Sequence, residues 1–292
     1  MSSAVIYTDL DGTLLDHHTY AFDEALGTIK ALKDRGIPII PCTSKTRAET
    51  VSLMQAIGID GPMIIENGAA IWVPRDWGLE CPKGADSHAD GWCHSFGPSR
   101  GMIRRQLAIL NIEWGNRYQS LCDLSDKQVA AVTGLDLEGA ARAKQREHCE
   151  TLIWLGTPAD RKAFAQQVET LDMRCVQGGR CVHVLASGGK AEAVSWLHHK
   201  IRRERLGFSA AVSLSAGDAE NDVEMLEVTD FALLVRSPVN ELLSVRRQGG
   251  LVISDAMGPA GWAEGMEALI ARVKEEEDRD RLLSKRHDHY AA

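Results

Sequence analysis

The sequence predicts an α/β protein in which a mostly parallel sheet is interrupted by an inserted second domain. Three observations carry this expectation. Short, β-branched apolar runs alternate with helix-length stretches from the first residues onward. The alternation breaks off near residue 74 and resumes near 190. The chain has 292 residues, more than the roughly 250 at which a single core stops growing.

The elements follow in order. Residues 4–8 (AVIYT) read as a buried strand closed by the polar turn Asp9 to Gly12. A helix is expected at about 23–35, with Ala25, Leu26, Ile29 and Leu32 on one face and Gly36 after it. Residues 37–41 form a second strand, and 46–57 a second helix stopped by Gly58. A third strand begins at 63–65 and runs into Glu66-Asn67-Gly68, with a further apolar run at 69–73. Residues 74–101, rich in Gly, Pro, Trp and polar side chains, read as connection. Helices are expected at 101–111, 125–132, 136–147 and 158–170, and strands at 151–155 and 181–185. This αβ set is the inserted domain, placed at 84–187, with 1–83 and 188–292 forming the first. The first pattern resumes with a helix at 190–204, a strand at 210–216, a helix at 220–227 and a strand at 231–235. The mixed-sign end, from Lys274 onward, reads as an exposed helix.

Composition narrows the function. The chain is 44% apolar and 25% charged, with 33 Lys+Arg against 41 Asp+Glu and a net charge of −8. An acidic balance argues against general binding to nucleic acid or anionic membrane. No run approaches the roughly 18 apolar residues of a membrane span. The first residues resemble no signal peptide. Seven Cys form no CxxC pair, so neither a disulfide framework nor a zinc ribbon is signalled. A cytoplasmic protein with reduced thiols, monomeric or homodimeric, is expected. Neither GxxxxGK[ST] nor GxGxxG occurs, against NTPase and dinucleotide readings. The His17-His18 and His198-His199 pairs lack zinc-site spacing and read as surface.

Four short segments could carry chemistry. Asp9-Leu10-Asp11-Gly12-Thr13 lies at the carboxyl end of the first strand, where open α/β sheets place ligands. Two carboxylates there can share a divalent cation and leave an oxygen free to attack; alone, the same residues could equally be a helix-capping turn. Cys42-Thr43-Ser44-Lys45 precedes a helix and offers hydroxyls and free N–H groups to phosphate, although alone it reads as a plain cap. Lys190, after Gly188-Gly189, sits at a helix start against the macrodipole, which favours a buried anion beside it. Gly217-Asp218-Ala219-Glu220-Asn221-Asp222 after the 210–216 strand is an oxygen-rich turn suited to Mg²⁺.

Taken in this order, the four segments resemble the DxDGT, hydroxyl, Lys and GDxxND motifs of the haloacid dehalogenase superfamily of phosphohydrolases. The resemblance implies a Rossmann-like hydrolase core with an inserted α+β cap. Within the cap, Leu121 to Ser125, Thr133-Gly134-Leu135, Arg146-Glu147 and Glu150 resemble the mannosyl-3-phosphoglycerate phosphatase family, as do Glu66-Asn67-Gly68-Ala69, Gly179-Arg180 and His183. Thr151 departs from it, standing where Pro is usual, and Ala191 stands where Gly is usual.

The resemblance implies that Asp9 attacks phosphorus and that Asp11 serves as acid and then base. It implies Mg²⁺ held by Asp9, Asp11 through its main-chain carbonyl, and Asp218, with Asp222 in the same shell. Thr43 and Lys190 are expected to steady the phosphoryl oxygens. Arg146 and Arg180 are the expected grips on a substrate carboxylate, and Glu150 and His183 are expected on sugar hydroxyls. Ser44, Glu66, Asn67, Gly68 and Asn221 complete the expected substrate-binding set. The implied partner is a small phosphorylated molecule. A phosphatase or phosphomutase for another sugar phosphate, and a binding protein without turnover, remain open at this point.

Overall fold

The computed structural model describes residues 4–178, 181–186 and 188–290. Strand β1 (Ala4–Thr8) is buried throughout and leads through a turn to helix α1 (Leu26–Asp34) and strand β2 (Ile39–Pro41). Helix α2 (Arg47–Ile57) starts at a capping box between Thr46 and Glu49 and stops at left-handed Gly58. Strands β3 (Met63–Ile65), β4 (Ala70–Pro74), β5 (Asp86–Ser87) and β6 (Gly91–Ser95) follow. Then come α3 (Arg100–Trp114), β7 (Tyr118–Ser120), α4 (Asp126–Thr133), α5 (Leu137–Ala143), β8 (Glu150–Trp154), α6 (Pro158–Glu169), β9 (Met173–Gly178) and β10 (Cys181–Ala186). The chain closes with α7 (Lys190–Glu204), β11 (Val212–Gly217), α8 (Val223–Val228), β12 (Phe231–Arg236), β13 (Leu251–Met257) and α9 (Gly258–Tyr290).

The principal sheet is parallel, in the order β13-β12-β11-β1-β2. Alternation along β1 feeds two cores. Ala4 and Ile6 face Ile29, Leu32, Trp262 and Met266 from α1 and α9. Val5 and Tyr7 face Val194, Leu197 and Ile201 from α7. A sheet covered on both faces explains why AVIYT is apolar without alternation.

Two antiparallel sheets are added. One, in the order β3-β4-β6-β5, meets β2 through a single bridge between Cys42 and Ile64. The other, β7-β8-β10-β9, packs Leu152, Val182 and Val184 against Ile103, Leu107 and Phe164 of α3 and α6. Cys181, His183 and Thr151 take the alternate positions and turn to the opposite face, toward the first sheet.

Several expectations change. Residues 91–95 are a strand rather than connection: β6 pairs with β4 from Ala70↔Ser95 to Pro74↔Gly91 and buries Trp92 and Cys93. The chain therefore stays paired with β4 as far as Ser95. The strand at 63–65 belongs to this antiparallel sheet. Strands β7, β9 and β13 were not anticipated, and the helix expected at 136–147 is shorter. No helix among the described residues is long and apolar enough to cross a membrane.

Candidate active site

Parallel strands bring their carboxyl ends to one edge, and there the separate segments meet. Asp9 and Asp11 follow β1, Thr43 follows β2, and Asp218 follows β11. Gly12 has φ +85°, and a Cβ there would fall 2.6 Å from an Asp218 carboxylate oxygen. Thr13 donates its hydroxyl to Asp218 Oδ1 at 2.9 Å. Glycine thus lets the first turn close upon the last acid.

Lys190, the first residue of α7, is buried with its Nζ 2.6 Å from Asp9 Oδ1 and 2.6 Å from Asp222 Oδ1. The other Asp222 oxygen accepts the N–H groups of Asp218 and Ala219, both at 3.1 Å. Asp222 therefore stands behind Lys190 and shapes the Asp218 turn. Asp9, Asp218 and Asp222 each bring one oxygen within 4.8 Å of the others.

Three buried carboxylates against one ammonium leave uncompensated negative charge. Burial, then Asp222, pushes Asp9 well above the usual carboxylate range. The same causes raise Asp218 to about 6. Burial works against the Lys190 ammonium, yet Asp222 and Asp9 hold its pKa above the ordinary lysine value. A surplus of hard oxygen donors in a buried site fits a divalent cation such as Mg²⁺.

Asp11 points elsewhere. Its Oδ2 pairs with Lys45 Nζ at 2.7 Å, and its Oδ1 is buried without a partner. The Asp11 carboxylate thus stands outside the acidic cluster. Thr43 Oγ1 accepts the Lys45 N–H at 3.2 Å, which leaves its hydroxyl proton to give.

Two expected residues, Arg146 from the loop between α5 and β8 and His183 from β10, face these acids across a cavity of about 520 Å³. Arg146 is buried, donates from Nη1 to Ser44 O at 3.0 Å and to Cys149 Sγ at 3.3 Å, and keeps Nε without a partner. His183 Nδ1 lies 3.0 Å from Thr151 Oγ1. Asp9, Asp11, Asp218, Ser44 and Asn221 line the same cavity.

Other expected residues lie outside that lining. Glu150 is buried in an ion pair with Arg100 at 2.7 Å and accepts the Ser120 hydroxyl, so it does not face the cavity. Glu66 spends its carboxylate on three backbone N–H groups, at residues 147–149. Asn67 is buried behind Asn221, accepting from its Nδ2 at 3.1 Å. Gly68 is a packing position: a Cβ there would fall 2.2 Å from the Gly189 backbone. Arg180 lies outside the described residues. Lys45 and Thr151 line the cavity although neither was in the expected set. Lys45 closes the Cys42–Lys45 segment; Thr151 is found only through the β8–β10 register, where it opposes His183.

The family of haloacid dehalogenase-like hydrolases matches residues 6–80. The chain is 33% identical over 274 residues to the glucosyl-3-phosphoglycerate/mannosyl-3-phosphoglycerate phosphatase of Methanococcoides burtonii, covering 92% of this chain and 97% of that protein. Its fold is similar to that of a haloalkanoate-superfamily phosphatase from Bacteroides thetaiotaomicron, at TM-score 0.61 and 17% identity, covering 91% of this chain and 95% of that one. It is also similar to that of the sucrose-phosphatase from Synechocystis, at TM-score 0.61 and 13% identity, covering 92% and 98%. The chain is a phosphoric monoester hydrolase of the haloacid dehalogenase-like hydrolases, and belongs with the Methanococcoides burtonii phosphatase to one family.

Proposed function

We propose that the protein removes the phosphate of a glycosyl-3-phosphoglycerate, through an aspartyl-phosphate on Asp9, to give a glycosylglycerate and phosphate. The observation that carries this reading is Arg146. A buried guanidinium with an unpartnered Nε lines the same cavity as the Asp9 carboxylate, and a planar fork of this kind suits a substrate carboxylate. The segment after β6 and before α7 would act as the cap over the catalytic edge.

Asp9 attacks phosphorus from its Oδ2 side, since Oδ1 is held by Lys190. As the ester P–O bond breaks, Asp11 gives the leaving oxygen a proton carried on Oδ1, the oxygen that no other group occupies. Water then attacks the aspartyl-phosphate, Asp11 takes back a proton, and the bond from Asp9 to phosphorus breaks to release inorganic phosphate. Lys190 and the Thr43 hydroxyl hold the transferring oxygens. Asp9, Asp218 and the Asp11 carbonyl would hold Mg²⁺, which offsets the repulsion between a carboxylate and a phosphate dianion.

The test is phosphate release from glucosyl- and mannosyl-3-phosphoglycerate, sucrose 6-phosphate and hexose phosphates in Mg²⁺. A charge-assisted grip on the carboxylate should favour the glycosyl-phosphoglycerates by roughly 10- to 150-fold in kcat/KM. A flat response across the panel, or transfer of phosphate to a second sugar instead of water, would overturn the proposal.

A further inference from the structure

The turn after β3 is strained. Glu66, Asn67 and Gly68 have φ of +52°, +61° and +87°, a left-handed run that residues with a Cβ adopt only where their surroundings over-determine it. The surroundings do so from the catalytic side. Glu66 N–H donates to Lys45 O at 2.9 Å and Asn67 N–H to Thr43 O at 2.9 Å, while Gly68 lies against Gly189, next to Lys190.

The Glu66 side chain leaves this anchored turn for the other half of the molecule. Its Oε1 accepts the N–H of Glu147 at 2.9 Å, and its Oε2 those of His148 at 3.0 Å and Cys149 at 2.8 Å. Glu66 is 1% exposed, and three successive amides converging on its carboxylate form a backbone seat for an anion. Arg146 is the residue immediately before these amides, and its guanidinium closes back onto Cys149 Sγ.

We infer that Glu66 is the positioning residue for Arg146. It seats the loop at 147–149 on the catalytic half and so fixes where the guanidinium stands over the cavity. It does not line that cavity, and it acts only through Arg146. The inference rests on the reading of Arg146 as the grip on the substrate carboxylate.

Two measurements test it. In the wild-type protein, hydrogen exchange at the amides of Glu147, His148 and Cys149 is slowed by at least about a hundredfold relative to an open loop; exchange at solvent rates would overturn the seat without reference to any substrate. In kinetics on mannosyl-3-phosphoglycerate, E66Q raises KM by about tenfold with kcat within about twofold. The double variant E66Q/R146A is no worse than R146A alone, because a residue acting through Arg146 has nothing left to act on. Additive losses would overturn the inference. If the wild type rejects every carboxylate-bearing ester, the substrate reading falls. The exchange result and the same cycle, run on whichever ester is turned over fastest, still decide the role of Glu66.

Discussion

The Lys190 ammonium lies 2.6 Å from the carboxylate of Asp9, 181 residues away in sequence, and both are buried. Asp222 holds Lys190 from its other side. The contact exists because β1 and β11 are parallel neighbours, which places the turn after each strand on one edge beside the start of α7.

Lys190→Met is therefore expected to lower stability by about 3–5 kcal/mol in metal-free buffer, since it leaves two buried carboxylates facing each other without their cation. Urea unfolding of the two proteins measures this directly. A loss under about 1 kcal/mol would mean that solvent or relaxation already compensates Asp9 and Asp222.

Acidification should act on stability and metal binding with opposite signs. Asp218 titrates at about 6 in the folded chain, above the roughly 3.9 of an unfolded aspartate. The folded state thus holds the proton more tightly, and Asp9 shifts in the same direction. The metal-free stability that Asp218 contributes is present in full below about 4 and is lost as pH rises through about 6. Mg²⁺ must displace the same protons, so its affinity falls by up to about tenfold per proton displaced for each pH unit below 6. Calorimetric Mg²⁺ titration at pH 7.5 and 5 checks this; equal affinities would contradict it.

Thr151→Val keeps volume and shape but removes the hydroxyl 3.0 Å from His183 Nδ1. A neutral hydrogen bond contributes about 0.5–1.5 kcal/mol, so KM for the glycosyl-phosphoglycerate should rise roughly 2- to 10-fold, while Thr151→Ser stays near wild type. Identical kinetics for Thr151→Val would mean that the imidazole is held by other groups.

Local chemistry was the legible part of this chain. A β-branched run bounded by Asp-Gly marked β1, and Gly58 marked the end of α2. The acids around Lys190 were legible because each stands at a strand end or helix start, a position that sequence order alone supplies. What was hidden depends on pairing across the chain. Trp92 and Cys93 look like loop residues until β4 pairs with them. Glu150 reads as a free carboxylate until Arg100, 50 residues earlier, meets it. Glu66 likewise gives no sign that its partners are the amides at 147–149.

The measurement closest to the central claim is phosphate release by Asp9→Asn beside the wild type, on one ester in saturating Mg²⁺, with circular dichroism to verify folding. Removing the nucleophile closes the covalent route, so the account predicts a loss of at least about 10³-fold, roughly 4 kcal/mol of barrier, in a folded protein. Activity within tenfold of wild type would contradict it, because hydrolysis would then proceed without a bond between Asp9 and phosphorus.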